Sequence, residues 1–131
     1  MTVNNVDYGK SVKVVYTNDE RRGQTETHYN NKGEKILSIY RYDKNEDGEF
    51  TDNEITHVTT YNGSFQGGAQ IAMTWVDEDK NGTADAQQFT IIKDDGSLYR
   101  PLGTKDYGNM PEKDKVTMAE VAKAAKLDVG A

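Results

Sequence analysis

The sequence predicts a mainly β fold, an antiparallel β-meander of about seven strands with a C-terminal amphipathic helix. Three observations point to it. Between residues 12 and 100, short runs of apolar and aromatic residues alternate with polar ones. Turn signals separate the runs by short connections throughout, which favours antiparallel pairing of neighbours. From Val116 onward the apolar period becomes helical.

The elements follow in order. Val12–Thr17 alternates through Val12, Val14 and Tyr16, an expected inward set, and Gln24–Asn30 follows as the next strand. After the turn Asn31-Lys-Gly33 comes Glu34–Tyr42, rich in β-branched and aromatic residues, with Leu37 and Ile39 inward. Ile55–Tyr61 reads Ile-Thr-His-Val-Thr-Thr-Tyr, a poor helix former and a good strand. Beyond Asn62-Gly63 and Gly67-Gly68, Gln70–Val76 places Ile71, Met73 and Trp75 on one face. Gln88–Lys93 carries Phe89 and Ile91, and Ser97–Arg100 follows the turn Asp94-Asp-Gly96. A linker over 101–116, containing Pro111, leads to the helix at 117–127. There Thr117 and Glu120 have capping-box spacing, Val116 and Val121 the spacing of a hydrophobic staple, and Met118, Val121, Ala122 and Ala125 recur on one face. Such a helix is expected to cover one face of the sheet; the other role open to it is a partner-docking or secretion-targeting tail. The whole chain is read as one domain, 1–131.

Two of the connections carry chemistry. Residues 43–54 place short oxygen ligands at first, third and fifth positions, Asp43, Asn45 and Asp47, with Gly48 sixth, where the loop must turn. Glu49 offers its backbone carbonyl from seventh place and Thr51 its hydroxyl or a bridging water from ninth. Glu54 closes the loop at twelfth, where a carboxylate binds bidentately. A second copy starts 34 residues later: Asp77, Asp79 and Asn81 repeat the ligand pattern, with Gly82 sixth, Thr83 seventh and Asp85 ninth. It departs at twelfth, where Gln88 is neutral, so this site is expected to be the weaker or to be completed from elsewhere. The duplication extends into the flanks, as Ile39–Tyr42 matches Met73–Val76 and Ile55 matches Phe89. Tyr16–Gly33 reads as a degenerate third copy whose turn holds Arg21 and Arg22 and no metal.

The loop at 43–54 resembles the EF-hand calcium loop, but its flanks read as strands, with at most one helical turn capped by Thr51 and Glu54. Loops of this type between strands resemble those of FG-GAP-like and other secreted bacterial calcium-binding repeat modules. The resemblance implies Ca2+ as cofactor, two ions, held by the residues just named. Calcium is expected over magnesium, which prefers fewer protein ligands and stricter octahedral geometry. It also implies an extracellular or cell-surface setting in a bacterium, with the chain exported without a cleaved signal or excised from a longer one; a cytoplasmic setting stays open.

Composition agrees. Hydrophobic content of 34% and a mean hydropathy of −0.88 allow a thin core. Of 22 acidic residues, six lie in the first loop and four in the second, so much of the net charge of −6 is concentrated there. Nucleic acid is not an expected partner, because no basic stripe meets the phosphate charge. No transmembrane stretch and no cysteine are present, which excludes disulfides and thiolate metal sites. No catalytic residue is assigned: His28 and His57 are isolated in strands, and Ser11, Ser38, Ser64 and Ser97 lie in no nucleophile elbow. Gly63–Gly68 lacks the lysine and helix of a phosphate loop. The eight tyrosines are expected to pack across strands, or else to line an aromatic face for a protein or carbohydrate partner. The expected function is a structural or interaction-mediating calcium-binding β module. The alternative is a calcium-dependent enzyme or enzyme-inhibiting secreted protein with calcium as scaffold. A calcium sensor would need a helix pair that opens.

Overall fold

A computed structural model describes residues 9–61, 69–93, 98–106 and 116–131. Strands β1 (Lys13–Asn18), β2 (Gly23–Tyr29), β3 (Lys35–Tyr42), β4 (Ile55–Tyr61), β5 (Ala69–Val76), β6 (Ala86–Lys93) and β7 (Leu98–Asp106) pair antiparallel in chain order into one sheet. Among the described residues one α-helix, α1 (Met118–Asp128), lies across β3, β4 and β5. Turn signals at 62–68 and 94–97, and Pro111, lie outside the described residues.

Register explains where the core sits. Ile39 stands opposite Val58, and Val58 opposite Trp75, so Leu37, Ile39, Val58 and Trp75 share one face. Met118, Ala122 and Ala125 of α1 close over them, with Ile55 and Ala84 filling the end of the layer and Val116, Val121 and Val129 around it. The helix begins as its sequence dictates: Thr117 Oγ accepts from the Glu120 N–H at 3.1 Å while the Glu120 carboxylate turns back to Thr117. Met118 is fully buried under the helix, so Met118→Ala is expected to cost about 2–5 kcal/mol, read in a denaturant melt as a lower midpoint at constant slope.

The expected inward set Val12, Val14 and Tyr16 is corrected. Val14 and Tyr16 stand opposite His28 and Glu26 on the helix side of the sheet, yet Val12, Val14 and Tyr16 are 57%, 41% and 58% exposed. β1 is the sheet's edge, two strands beyond the cover that one short helix provides. Alternation names a face, but not whether anything lies on it. The linker also begins later than expected, because residues 101–106 belong to β7. Pro101 is tolerated there because β7 is an edge strand and its pairing slips between Phe89 and Ile91 of β6, a bulge needing no donor from that position. Of Ile71 and Phe89 only the backbone is described, whereas Met73 and Ile91 are half-buried.

The helix side of β2 is polar and buried. Glu26 accepts from His28 Nε2 at 2.6 Å and from Arg41 Nη1 at 2.8 Å, with Lys126 Nζ at 3.2 Å. A carboxylate has no proton to give, so Nε2 must carry one; the other ring nitrogen, Nδ1, lies 2.8 Å from Ser11 Oγ. Arg41 continues to Asp52 Oδ1 at 2.8 Å. Serine, histidine and glutamate in a chain have the composition of a hydrolytic relay. Here, however, both ring and carboxylate are sealed, and the carboxylate is spent on two further cations. The cluster ties the N-terminal edge, the end of α1 and the turn at Asp52 to the centre of the sheet.

Candidate metal centre

In a meander every second connection falls at the same end. The turns β1–β2, β3–β4 and β5–β6 are therefore neighbours, and both acidic loops lie side by side. Contacts confirm the adjacency: Arg22 reaches Glu46 at 2.8 Å, and Lys44 Nζ donates to the Lys80 carbonyl at 3.0 Å.

From first to seventh position the two loops share the same side-chain-to-backbone bonds. In the first, Asp43 Oδ1 accepts from the Asp47 N–H at 3.2 Å and Oδ2 from the Gly48 N–H at 2.9 Å. In the second, Asp77 does the same with Asn81 at 3.2 Å and Gly82 at 2.7 Å. Third-position Asn45 and Asp79 each accept from the fifth-position N–H at 3.3 Å. Fifth-position Asp47 and Asn81 each accept from the seventh-position N–H, of Glu49 and Thr83, at 2.9 Å. Even the backbone repeats. Glu46 and Lys80 at fourth position have φ of 58° and 57°, and Gly48 and Gly82 at sixth have 79° and 91°. Glycine takes such angles without strain, which is why the sixth residue is glycine in both loops. The fourth residues are held there against their preference by the flanking hydrogen bonds.

This folding turns the side-chain oxygens inward. One oxygen each from Asp43, Asp47 and Glu54 lie within 4.8 Å of one another, and so do those of Asp77, Asp79 and Asp85. In each set the first aspartate is buried and the others are more open. Like charges at this spacing repel unless a proton or cation intervenes. Burial pushes the Asp77 carboxyl above its ordinary value, while its hydrogen bond with Asp77 holds Asp79 below. Hydrogen bonds, led by the one from the Glu49 N–H, likewise hold Asp47 below its ordinary value.

The remaining residues named from sequence fall as follows. Glu49 and Thr83 take part through the backbone; the Glu49 side chain is exposed and outside the converging set. Thr83 forms a β-bridge to Thr117, in which Met118 N–H donates to the Gly82 carbonyl at 2.8 Å and Ala84 N–H to the Val116 carbonyl at 2.9 Å. The Thr83 amide and carbonyl consequently face the loop. Thr51 caps a single 3-10 turn, Asp52–Glu54, its N–H donating to Glu54 Oε1 at 3.1 Å.

The loops differ in how they close. Glu54 Oε2 accepts from the second-position N–H, Lys44, at 3.0 Å. In the second loop the second-position N–H, Glu78, donates at 2.8 Å to Asp85 instead. Asp85, from ninth place, thus occupies the role that Glu54 fills from twelfth. β6 has begun by Ala86, and Gln88 stands on that strand opposite Thr74, on the sheet face away from α1. Counting a twelve-residue loop puts Gln88 in the closing place; the carboxylate at position nine, Asp85, is the cue to the shorter one. Sequence reasoning missed Arg41 and the Asp52 anchor, because an arginine between two tyrosines on a strand reads as a solvent-facing residue.

Comparison with protein-family models, with curated proteins and with solved structures finds no match to this chain.

Proposed function

We propose that the chain is a calcium-binding β module in which two ions, one per loop, stiffen one end of the sheet. What carries the reading is the repeated loop: the same hydrogen bonds, the same positive-φ residues and three converging carboxylates, built twice from two stretches of sequence. An acidic turn needs no such repetition. The donor set is all oxygen, which suits a hard cation, and carboxylates, backbone carbonyls and water together supply the six to eight ligands calcium takes. Asp43, Asn45, Asp47, Glu49 and Glu54 hold the first ion, with Thr51 at the ninth position. Asp77, Asp79, Asn81, Thr83 and Asp85 hold the second, without Gln88.

The effect of metal is structural. The second loop is bridged to the start of α1, and the first is anchored through Asp52 to buried Arg41, so ordering the loops orders the two attachments of the core. A bound ion at a hundred times its Kd adds about 2.7 kcal/mol, a large part of the stability of a thinly cored domain. A role outside a bacterial cell, where calcium is plentiful, follows from the same reading. Among the described residues no helix is long and apolar enough to cross a membrane.

Calorimetric titration of chelator-stripped protein tests the proposal. Two events are expected, the tighter lost in Asp43→Ala and the weaker in Asp77→Ala, with a rise in Tm that magnesium does not reproduce. Absence of heat at millimolar calcium, with an unchanged Tm, overturns it.

A further inference from the structure

The open face of the sheet, bordered by the second metal loop, carries a groove of about 600 Å³ that runs across β3 to β6. Its floor is built by register. Tyr40 stands opposite His57, His57 opposite Val76, and Thr74 opposite Gln88. Tyr42 lies beside Tyr40, two residues along β3, and Arg21, Glu78 and Lys80 form the rim. The volume is in the range of small-molecule sites.

Its aromatic rings are fixed in place. The Tyr40 hydroxyl donates to Asp19 Oδ2 at 2.8 Å, and Asp19 is itself held by the amides of Arg21 and Gly23, each at 2.8 Å. Gly23 has to be glycine here, since a Cβ would overlap the Tyr40 hydroxyl. His57 meets the Tyr40 ring edge-on, centroids 5.8 Å apart at 76°. Thr56 Oγ lies 2.9 Å from His57 Nδ1, which leaves Nε2 as the ring's other hydrogen-bonding atom. Tyr42 hydrogen-bonds Arg22, whose guanidinium carbon lies 5.1 Å from the ring centroid, with Lys80 Nζ at 5.4 Å. A rigid aromatic floor binds at low ordering cost.

We infer that this groove is a binding site for a carboxylate-bearing saccharide, stacked on Tyr40. The floor offers what a sugar ring needs: an aromatic face for its C–H surface, and Thr74, Gln88 and His57 as hydroxyl partners around it. The charge selects an acidic sugar. In a chain of net charge −6, two cations, Arg21 and Lys80, stand on the rim of this groove, while Arg22 behind Tyr42 is paired with Glu46. Of the two lining carboxylates, Asp77 is buried and turned toward the Gly82 and Asn81 amides of its own loop and Glu78 stands on the rim, while Asp19 beside the groove is engaged by the Tyr40 hydroxyl and the Arg21 and Gly23 amides. An arginine and a lysine facing one opening suit a carboxylate.

The test titrates the full chain with cellobiouronic acid and with cellobiose, by calorimetry and by the shifts of ring protons of Tyr40 and His57. The acid is expected to bind at about millimolar Kd or tighter, and about fivefold or more better than cellobiose. Tyr40→Ala should weaken both sugars about tenfold, whereas Tyr40→Phe, which keeps the ring, should retain most of the affinity. Arg21→Gln with Lys80→Gln should erase the preference, bringing the acid's affinity to that of cellobiose for the same variant. Titrations run in calcium and in chelator, and the preference in either condition decides; failure of the loops to take calcium is read separately, in the metal calorimetry. No binding of the acid at about 20 mM, equal binding of the two sugars, or an affinity unmoved by Tyr40→Ala overturns the inference.

Discussion

Glu26→Ala is expected to destabilise the protein by about 3–5 kcal/mol, enough to leave a domain of ordinary stability marginal. Glu26 is 2% exposed and takes hydrogen bonds from His28 and Arg41, with the Lys126 ammonium close by. Removing it strands a buried guanidinium with the exposed Asp52 as its one remaining carboxylate. The same residue sets the acid limb of stability. Burial works against the Glu26 carboxylate, yet the bonds from His28 and Arg41 and the Lys126 charge outweigh it and hold the carboxyl below its ordinary value of 4.5. A depressed group stabilises fully above its unfolded value, and that stabilisation is lost as the pH falls from about 4.5 through the depressed folded value. Urea melts of wild type and Glu26→Gln across that window are the check. The wild type should lose stability faster than the variant as pH falls, and parallel profiles would show that Glu26 gives no acid sensitivity. Because Arg41 also holds Asp52 at the exit of the first loop, the variant should bind calcium more weakly there and normally at the second loop.

Asp85→Asn is expected to weaken calcium at the second loop by about tenfold or more, while Gln88→Ala leaves it unchanged. Counting a twelve-residue loop puts Asp85 at the ninth position and Gln88 at the closing one. Asp85 already reaches the Glu78 amide that Glu54 reaches at Lys44, and it converges with Asp77 and Asp79; Gln88 sits on β6 beneath the groove. Calorimetry of both variants on an Asp43→Ala background, where the second loop is observed alone, separates the two. A loss in Gln88→Ala would mean that the loop closes at twelve residues when loaded.

Local chemistry made much of this legible. Glycine at sixth place, short oxygen side chains at odd positions and β-branched flanks each have a cause within a few residues, so the strands, the capped helix and the repeated loops could be read in order. Closure of the second loop was less legible. Whether Asp85 or Gln88 meets Asp77 depends on where β6 begins, and that is set by pairing with Val76 across the sheet. Burial on β1 failed for a related reason: Val12, Val14 and Tyr16 have the pattern of a covered strand, but one eleven-residue helix spans the middle of the sheet and not its edge.

By itself, then, the sequence determined the period of each segment, the turns between them and the inward folding of two acidic loops, because backbone preference and side-chain reach act over neighbouring residues. Only the tertiary structure decided which faces are covered and which charges meet. Glu26, Arg41 and Lys126 are far apart in the chain and become one charge cluster, with Glu26 and Arg41 buried, only when α1 lies on the sheet; Tyr40, His57 and Gln88 become one groove only through strand register. Contacts of that kind depend on pairing between distant segments, which no short stretch of sequence records.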